Sequence, residues 1–249
     1  MKRRKRFGQH FLHDPAVLKR IVEAIDPAPG DALVEIGPGA GALTRPLLER
    51  LERLTAIEID RDLAARLEAE FSPSRFSLLC ADALDVDYSS FPSGIRIVGN
   101  LPYNISTPLL FHLARYAERV RDMHFMLQLE VVERMVAHPS TPEYGRLSVM
   151  LQVRFAMKKL FKVAPGAFRP PPKVDSAVVR LVPLQGKLPC DGKLFEKIVR
   201  EAFSARRKTL RNALPLKPED YETLGLDPRL RPENLSPADY VRITQACAR

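Results

Sequence analysis

The apolar residues of this chain fall into two alternating patterns in its first hundred positions. Short continuous apolar runs bounded by turn-forming residues predict buried strands. The runs are ALVEIG, LTAIEID, RFSLLCAD and IRIVGN. Segments with apolar residues at helical spacing lie between them and predict amphipathic helices. Such alternation with short connections predicts an α/β fold: a mostly parallel sheet with helices on both faces.

Two helix starts carry specific local signals. Asp14 followed by Pro15 has the residue types of a helix N-cap and first helical position, so a helix is predicted from there to Ile25. In ALTRPLLERL, Pro46 must lie in the first turn of its helix or bend it.

The pattern of predicted elements changes toward the end of the chain. In the middle of the chain, MHFMLQLEVVERMVAH predicts a strand running into a helix, and DSAVVRLVPL (175–184) is rich in β-formers. From about Pro189 onward only helical patterns remain. We therefore predict a large α/β domain over residues 1–187 and a small all-helical domain over residues 188–249.

Composition narrows the class of protein. The chain has 249 residues, of which 45% are apolar, and no run approaches the roughly 18 apolar residues of a membrane span. The basic N-terminus is not followed by an apolar segment, so we expect no secretory signal. The three cysteines are far apart and fit neither a disulfide framework nor a zinc site. We expect a cytoplasmic protein without a metal or a membrane contact, and a monomer.

Charge points to a polyanionic partner. The net charge is +9, which suits either nucleic-acid binding or a generally basic soluble surface. Clustering favours nucleic acid, because five of the first six residues are Lys or Arg and a second group gathers four cations. This second group is the cationic cluster Arg206, Arg207, Lys208 and Arg211.

A glycine-rich turn follows the first predicted strand of the alternating region. VEIGPGAGALT places Gly37, Gly39 and Gly41 between a strand and a helix, and Glu35 is unusual within a buried strand. Ala42 stands where a dinucleotide-binding fingerprint would have its third glycine. Glycines let a ligand approach the backbone closely; the alternative is a tight turn with no ligand.

Two carboxylates end the following strands. Glu58 is placed to bind both hydroxyls of a ribose, and Asp82 to accept a hydrogen bond from an adenine amino group. Each alone also suits a helix cap or a solvated turn. The carboxyl ends of parallel strands meet at one edge, so these acids and the glycines are expected to share a crevice.

The segment GNLPY ends the IRIVGN strand. Asn100 offers an amide oxygen, Pro102 lacks an N–H and holds Leu101 extended, and Tyr103 supplies a flat ring. Such a group suits a planar base carrying an NH₂: acceptors for its two N–H bonds and a surface for stacking. The alternative is a simple strand-end turn. Four histidines have no acidic or cysteine companions at ligand spacing and are assigned to the surface or to core packing: His13, His112, His124 and His138.

Seven motifs in order give the chain a family resemblance. FGQHFL, VEIGPGAGALT, IEIDRD, VGNLPYNIST, YGRLSV, FRPPPKVDSAV and RRKTLRN resemble the bacterial small-subunit (16S) rRNA adenine dimethyltransferases, of the rRNA adenine N(6)-methyltransferase family. The resemblance runs from about Phe7 to the C-terminus.

The resemblance implies a Rossmann-like class I methyltransferase domain, a small helical C-terminal domain and S-adenosyl-L-methionine as methyl donor. It implies dimethylation of two adjacent adenosines in the 3′-terminal hairpin loop of 16S rRNA, within a pre-30S particle. The implied cofactor contacts are His10, Leu12, Gly37, Glu58, Asp82 and Asn100. Asn100, Leu101, Pro102 and Tyr103 match the target-amine motif. Phe168 resembles a second ring that sandwiches a flipped adenine; the alternative is a loop aromatic that fills the core.

Two other functions stay open at this point. One is methylation of large-subunit rRNA, against which RRKTLRN and FRPPPKVDSAV argue. The other is a non-catalytic RNA-binding assembly or transcription factor on the same fold, against which the intact NLPY and acid set argues.

Overall fold

The computed structural model describes residues 10–248. The predicted binding of nucleic acid by the Lys and Arg residues among the first six therefore lies outside the described part of the chain. The strands are β1 (Phe11–Leu12), β2 (Leu33–Ile36), β3 (Leu54–Glu58), β4 (Phe76–Cys80), β5 (Ile95–Asn100), β6 (Val120–Gln128), β7 (Phe155–Val163), β8 (Phe168–Arg169) and β9 (Ser176–Pro183). The helices are α1 (Pro15–Ile25), α2 (Thr44–Leu48), α3 (Arg61–Glu70), α4 (Ser106–Ala114), α5 (Leu129–Val136), α6 (Arg146–Gln152), α7 (Gly192–Ser204), α8 (Leu210–Ala213), α9 (Pro218–Leu224) and α10 (Pro237–Cys247).

The main sheet has the strand order β4-β3-β2-β5-β6-β9-β7. The pairs from β4 to β6 are parallel, and β9 runs antiparallel to β6. All four residues of β2 are buried, because this strand is covered on both faces. The predicted α/β class with a mostly parallel sheet is confirmed.

The chain reverses its direction of travel across the sheet between β2 and β5. From β2 it adds β3 and β4 on one side and then returns to add β5 and β6 on the other. The carboxyl ends of β2 and β5 therefore flank a topological switch point, where open α/β sheets bind their ligands.

The predicted helix starts are confirmed. Asp14 caps α1 by accepting hydrogen bonds from the backbone N–H groups of Ala16 (2.8 Å) and Val17 (3.1 Å). Helix α1 then buries Ile21, Val22 and Ile25 in the hydrophobic core that includes apolar residues of the sheet. Pro46 lies in the first turn of α2.

The chain divides into two compact units. The first comprises the described residues up to Val132 together with Met157–Pro183, and the second comprises Glu133–Ala156 and the described residues from Leu184 onward. The predicted division at residue 187 differs from this in two segments, because residues 133–156 and 184–187 belong to the helical unit.

A shared core explains why residues 133–156 join the helical unit. Tyr144 and Val149 pack in the same cluster as Phe195 and Tyr240. The Tyr144 hydroxyl also donates to the backbone carbonyl of Leu235 at 2.9 Å. None of the helices in residues 10–248 is long and apolar enough to cross a bilayer.

Candidate active site

A cavity of about 280 Å³ lies at the switch point within the first unit. Its lining comes from the loop after β2, the ends of β3 and β5, the loop after β4 and the segment around β1. The structure brings the predicted residues together along one cavity: His10, Leu12, Gly37, Glu58, Asp82 and the Asn100 to Tyr103 segment.

The glycine turn presents backbone to this cavity. Gly37 has φ +66°, a conformation that favours glycine, and a Cβ there would meet open space. Its N–H donates to the Ile57 carbonyl at 2.9 Å, which fixes the start of the turn on the neighbouring strand. The turn is thus held by the sheet while its open side stays accessible to a ligand.

Glu58 ends β3 as a buried carboxylate, 2% exposed. Its Oε2 accepts the Gly39 N–H at 3.1 Å and its Oε1 accepts the Asp60 N–H at 3.0 Å. Burial raises the pKa of Glu58, and these backbone hydrogen bonds oppose the rise. Both oxygens are fixed at the cavity wall, where their remaining lone pairs suit a diol.

Glu35 is a second buried carboxylate in the cavity wall, noted from the sequence but given no role there. It is 2% exposed, and the Thr44 hydroxyl donates to its Oε2 at 2.7 Å. Burial raises the pKa of Glu35 to about 7, with repulsion from Glu58 in the same sense. The only sign of this residue in the sequence was an acidic side chain within a strand that is otherwise apolar, just before the glycine turn.

Asp82 lines the cavity and also caps a turn. Its Oδ1 accepts the Leu84 N–H at 2.9 Å, which orders the loop after β4. Asp82 is therefore a turn acid that also lines the cavity, and its contact with an adenine amino group stays a prediction.

The amide of Asn100 has a defined orientation. Its Nδ2 donates to the backbone carbonyl of His10 at 3.1 Å. A carbonyl oxygen only accepts, so the amide nitrogen must face His10, and Oδ1 is turned away from that carbonyl as a hydrogen-bond acceptor. The last residue of β5 thus offers an oriented acceptor in the cavity wall.

The next two residues fix the main chain. Leu101 is 1% exposed, and its N–H donates to the Met126 carbonyl at 3.2 Å. The Pro102 carbonyl accepts the Ile105 N–H at 3.2 Å, which closes the turn before α4. The Pro102 carbonyl is therefore already used by the turn.

The ring of Tyr103 is half-buried beside the ring of His10. Their centroids are 5.7 Å apart with an interplanar angle of 33°. The Tyr103 hydroxyl lies 2.8 Å from the Ser176 hydroxyl. Burial raises the pKa of Tyr103, so the phenol is neutral at physiological pH.

The segment that carries His10 is tied down by a two-stranded sheet. β1 pairs antiparallel with β8, with Leu12 opposite Phe168. The His10 Nδ1 lies 2.7 Å from the Pro170 carbonyl and is the donor, because that oxygen only accepts. Leu12 is 5% exposed and contributes apolar surface to the cavity.

Phe168 is the one predicted site residue of the first unit that the structure does not bring to the cavity. Its side chain is 2% exposed and packs in the sheet core with Leu12, Ala167 and Val178. Pairing of β8 with β1 directs the ring inward, which is the core-filling alternative. A stacking role for Phe168 has no support in this geometry.

The cationic cluster lies in the second unit. The Arg206 Nε donates to Glu233 at 2.6 Å and its guanidinium also donates to the Pro142 carbonyl at 3.0 Å. Arg207, Lys208 and Arg211 are exposed. The cluster therefore divides into one exposed cation that is paired with Glu233 and three exposed cations for which no such pair is found among the described residues. Within residues 10–248, no group of three or more His, Cys, Asp or Glu side chains is arranged to hold a metal ion.

Comparison with known proteins identifies the family. Residues 1–249 match the family model described as "Ribosomal RNA adenine dimethylase". Ribosomal RNA small subunit methyltransferase A of Aromatoleum aromaticum is 58% identical over 98% of this chain and 94% of the relative. The protein of the same name from Thiobacillus denitrificans is 60% identical over 97% of this chain and 96% of the relative.

Solved structures agree in fold over nearly the whole chain. A dimethyladenosine transferase from Plasmodium falciparum has a TM-score of 0.83 at 26% identity, covering 96% of this chain and 98% of the other. The 23S rRNA methyltransferase ErmE has a TM-score of 0.72 at 27% identity, covering 96% and 100%. The chain belongs to the ribosomal RNA adenine dimethylase family.

Proposed function

We propose that this protein transfers methyl groups from S-adenosyl-L-methionine to the 6-amino groups of two adjacent adenosines in the 3′-terminal hairpin loop of 16S rRNA. The observation that carries the proposal is the oriented amide of Asn100. Asn100 lines one cavity with the open glycine turn, Glu58 and Asp82, and its amide nitrogen is held by the His10 carbonyl, which leaves its oxygen as an acceptor. The high identity to small-subunit methyltransferases supports the choice of RNA.

The residues of the cavity fit the cofactor. Glu58 is a buried carboxylate with both oxygens fixed, which matches a ribose diol, and Asp82 is an acceptor for the adenine amino group. Gly37 leaves room for close approach, and Leu12 adds apolar surface. S-adenosyl-L-methionine supplies a methyl group on a sulfonium, with a neutral thioether as leaving group.

The adenine amine would be held by Asn100 and the segment that follows it. The Asn100 Oδ1 and the Leu101 carbonyl accept its two N–H bonds, and the extended backbone before Pro102 keeps that carbonyl in place. Acceptors outside the plane of the base favour a tetrahedral nitrogen and free its lone pair. The nitrogen would then be placed to form a bond to the donor's methyl carbon in line as the bond to the sulfonium sulfur breaks, with one proton passing to solvent in each round.

Positioning supplies most of the acceleration in this scheme. The leaving group is neutral, so no general acid is needed, and holding the two reactants in line replaces a bimolecular encounter. Tyr103 provides a face on which a flipped adenine stacks, worth about 1–3 kcal/mol per base. Its neutral phenol keeps charge away from that face.

The helical unit would bind RNA through phosphates. Arg207, Lys208 and Arg211 are exposed cations in the second unit, and such contacts position an RNA without reading its sequence. The proposed substrate particle is a pre-30S particle in the cytoplasm, bound by a monomer of this protein.

Transfer of label from S-adenosyl-L-methionine tests the proposal. The protein is incubated with unmethylated small or large ribosomal subunits, and the labelled nucleotides are mapped. We expect two adjacent dimethyladenosines in 16S rRNA. Label in large-subunit RNA would reassign the substrate, and RNA binding without any label would indicate a non-catalytic assembly factor. Asn100→Ala is the matched control for transfer that depends on this cavity.

A further inference from the structure

The hydroxyl of Tyr103 has a bonding partner that stacking alone does not require. A phenylalanine ring stacks on a base as well as a tyrosine ring does, because both present a π-face. Yet the Tyr103 Oη lies 2.8 Å from the Ser176 Oγ, and either hydroxyl can donate. The contact joins a residue of the target-amine motif to one 73 positions further along the chain.

Ser176 is a rigid anchor for that hydroxyl. It is the first residue of β9, is 0% exposed and lies opposite Gln128 in the ladder between β6 and β9. The preceding residue is held as well, because the Asp175 carbonyl accepts the Leu129 N–H at 2.9 Å. Ser176 itself does not line the cavity.

The ring of Tyr103 is consequently fixed at both ends. At its backbone end, the Tyr103 carbonyl accepts the Ser106 hydroxyl at 3.0 Å, which ties the turn to the start of α4. At its far end, the hydroxyl is bonded to Ser176. The ring can still rotate about the line between these two points, while the hydrogen bond to Ser176 opposes a movement of that line toward or away from Asn100.

We propose that Ser176 is a positioning residue for base capture. Its hydrogen bond sets the distance between the Tyr103 ring and Asn100, so that an adenine stacked on the ring places its amine at the Asn100 oxygen. Ser176 acts through Tyr103 and touches neither substrate nor cofactor. This inference rests on the proposed function, since it concerns the adenine that the cavity would receive.

The positioning role predicts a specific kinetic effect. Ser176→Ala and Tyr103→Phe each remove the same hydrogen bond, whose net worth corresponds to about a 3- to 10-fold effect. We expect kcat/KM for RNA to fall by about that factor in each variant. Cofactor affinity is expected to stay at the wild-type value, because neither hydroxyl contacts Glu58 or Asp82.

Base flipping is the readout that a purely structural role would not move. Small-subunit RNA with 2-aminopurine at the target position reports flipping as a rise in fluorescence. We expect the wild type to give this rise, and both variants to give a smaller one at saturating RNA. The double variant is expected to match the single variants, because the bond can be lost only once.

Ser148→Ala is the matched control. Ser148 is also 0% exposed, and its hydroxyl donates to the Arg134 carbonyl, but it lies in the second unit. It is expected to lower stability while leaving the 2-aminopurine signal unchanged. If Ser176→Ala fails to fold, Tyr103→Phe carries the test, since its change lies in a half-exposed turn.

The outcomes separate this inference from the proposed function. A wild-type protein that does not label adenine would overturn the proposed function itself. A wild type that labels adenine, with both variants within twofold of it in flipping and kcat/KM, would overturn the role of Ser176. Additive losses in the double variant, or a parallel loss of cofactor affinity, would also overturn it.

Discussion

The amide of Asn100 is oriented by main chain, which makes its oxygen a fixed acceptor. We expect Asn100→Ala to abolish methyl transfer, because the amine then loses the acceptor that holds it in line. RNA binding should be nearly unchanged, since phosphate contacts at many positions dominate it. The measurement is single-turnover transfer at saturating cofactor, with cofactor affinity determined separately by calorimetry. Transfer at the native rate would show that the segment is only a turn.

Glu35 gives the apoprotein a pH-dependent stability. Its pKa is raised from an ordinary value of 4.5 to about 7, so the folded protein retains a proton that the unfolded chain releases. Stability from this group is present below about pH 4.5 and is lost as the pH rises through about 7. The full loss is roughly 3 kcal/mol.

Glu35→Gln removes this dependence and keeps an acceptor for the Thr44 hydroxyl. We expect the variant to gain on the wild type by up to roughly 3 kcal/mol between pH 5 and pH 8 in urea unfolding. His124, whose pKa burial lowers to about 4, acts in the opposite sense but is the same in both proteins, so it cancels in the difference. A difference that does not change with pH would mean that Glu35 is ionised throughout in the fold.

At the scale of elements, the site depends on how closely β2 and β5 approach. A Cβ added to Gly99 would lie 2.5 Å from the Ile36 carbonyl oxygen on the neighbouring strand. The residue before Asn100 must therefore be glycine for the strand to stay in register at the cavity. The sequence showed Gly99 as part of a strand exit and did not reveal this contact.

Gly99→Ala should therefore destabilise the fold and displace Asn100. We expect a loss of about 1–3 kcal/mol, typical of an overpacked position, and a larger proportional loss of methyl transfer. Thermal unfolding and single-turnover kinetics measure the two effects. Gly30→Ala is the control, because nothing lies within 4 Å of a Cβ there, and it should change stability little. Equal stabilities of the two variants would contradict the close approach.

Elements with a clean apolar pattern were predictable from the sequence, and those without one were not. The parallel strands and α1 follow from their runs and caps. β7 was missed because Lys158 and Lys159 interrupt its pattern, as suits a strand at the edge of the sheet. The sequence did not decide between the two interpretations of Phe168, because its pairing partner in β1 lies far away in the sequence.

At the scale of the molecule, contacts between residues far apart in the sequence also limited what could be predicted about the site. The sequence named acids and amides of the cavity such as Glu58, Asp82 and Asn100, because strand ends in a parallel sheet meet at one edge, but it did not name most of the apolar lining. It did not show that Asn100 bonds to His10, 90 positions away, or that Tyr103 bonds to Ser176. Those contacts depend on tertiary structure, and they orient the groups that the motif supplies.

The net charge of +9 is a property of the whole molecule, and it has two interpretations. Either the cationic cluster binds RNA, or the surface is basic throughout without a specific binding site. If the cationic cluster binds RNA, an exposed member such as Arg207 contributes a phosphate contact. A generally basic surface would instead make all exposed cations equivalent. Arg206 is already paired with Glu233 and held by Pro142, so its removal should mainly reduce stability.

Salt dependence of RNA binding separates these interpretations. Arg207→Ala should lower the slope of log K against log salt by about 0.7–0.9, the value for one lost phosphate contact, without changing the unfolding temperature. Arg206→Ala should lower the unfolding temperature and change the slope less. Arg66→Ala, an exposed arginine on α3, is the matched control for the loss of one positive charge. An equal fall in slope for Arg66→Ala and Arg207→Ala would mean that overall charge, and not the cluster, attracts the RNA.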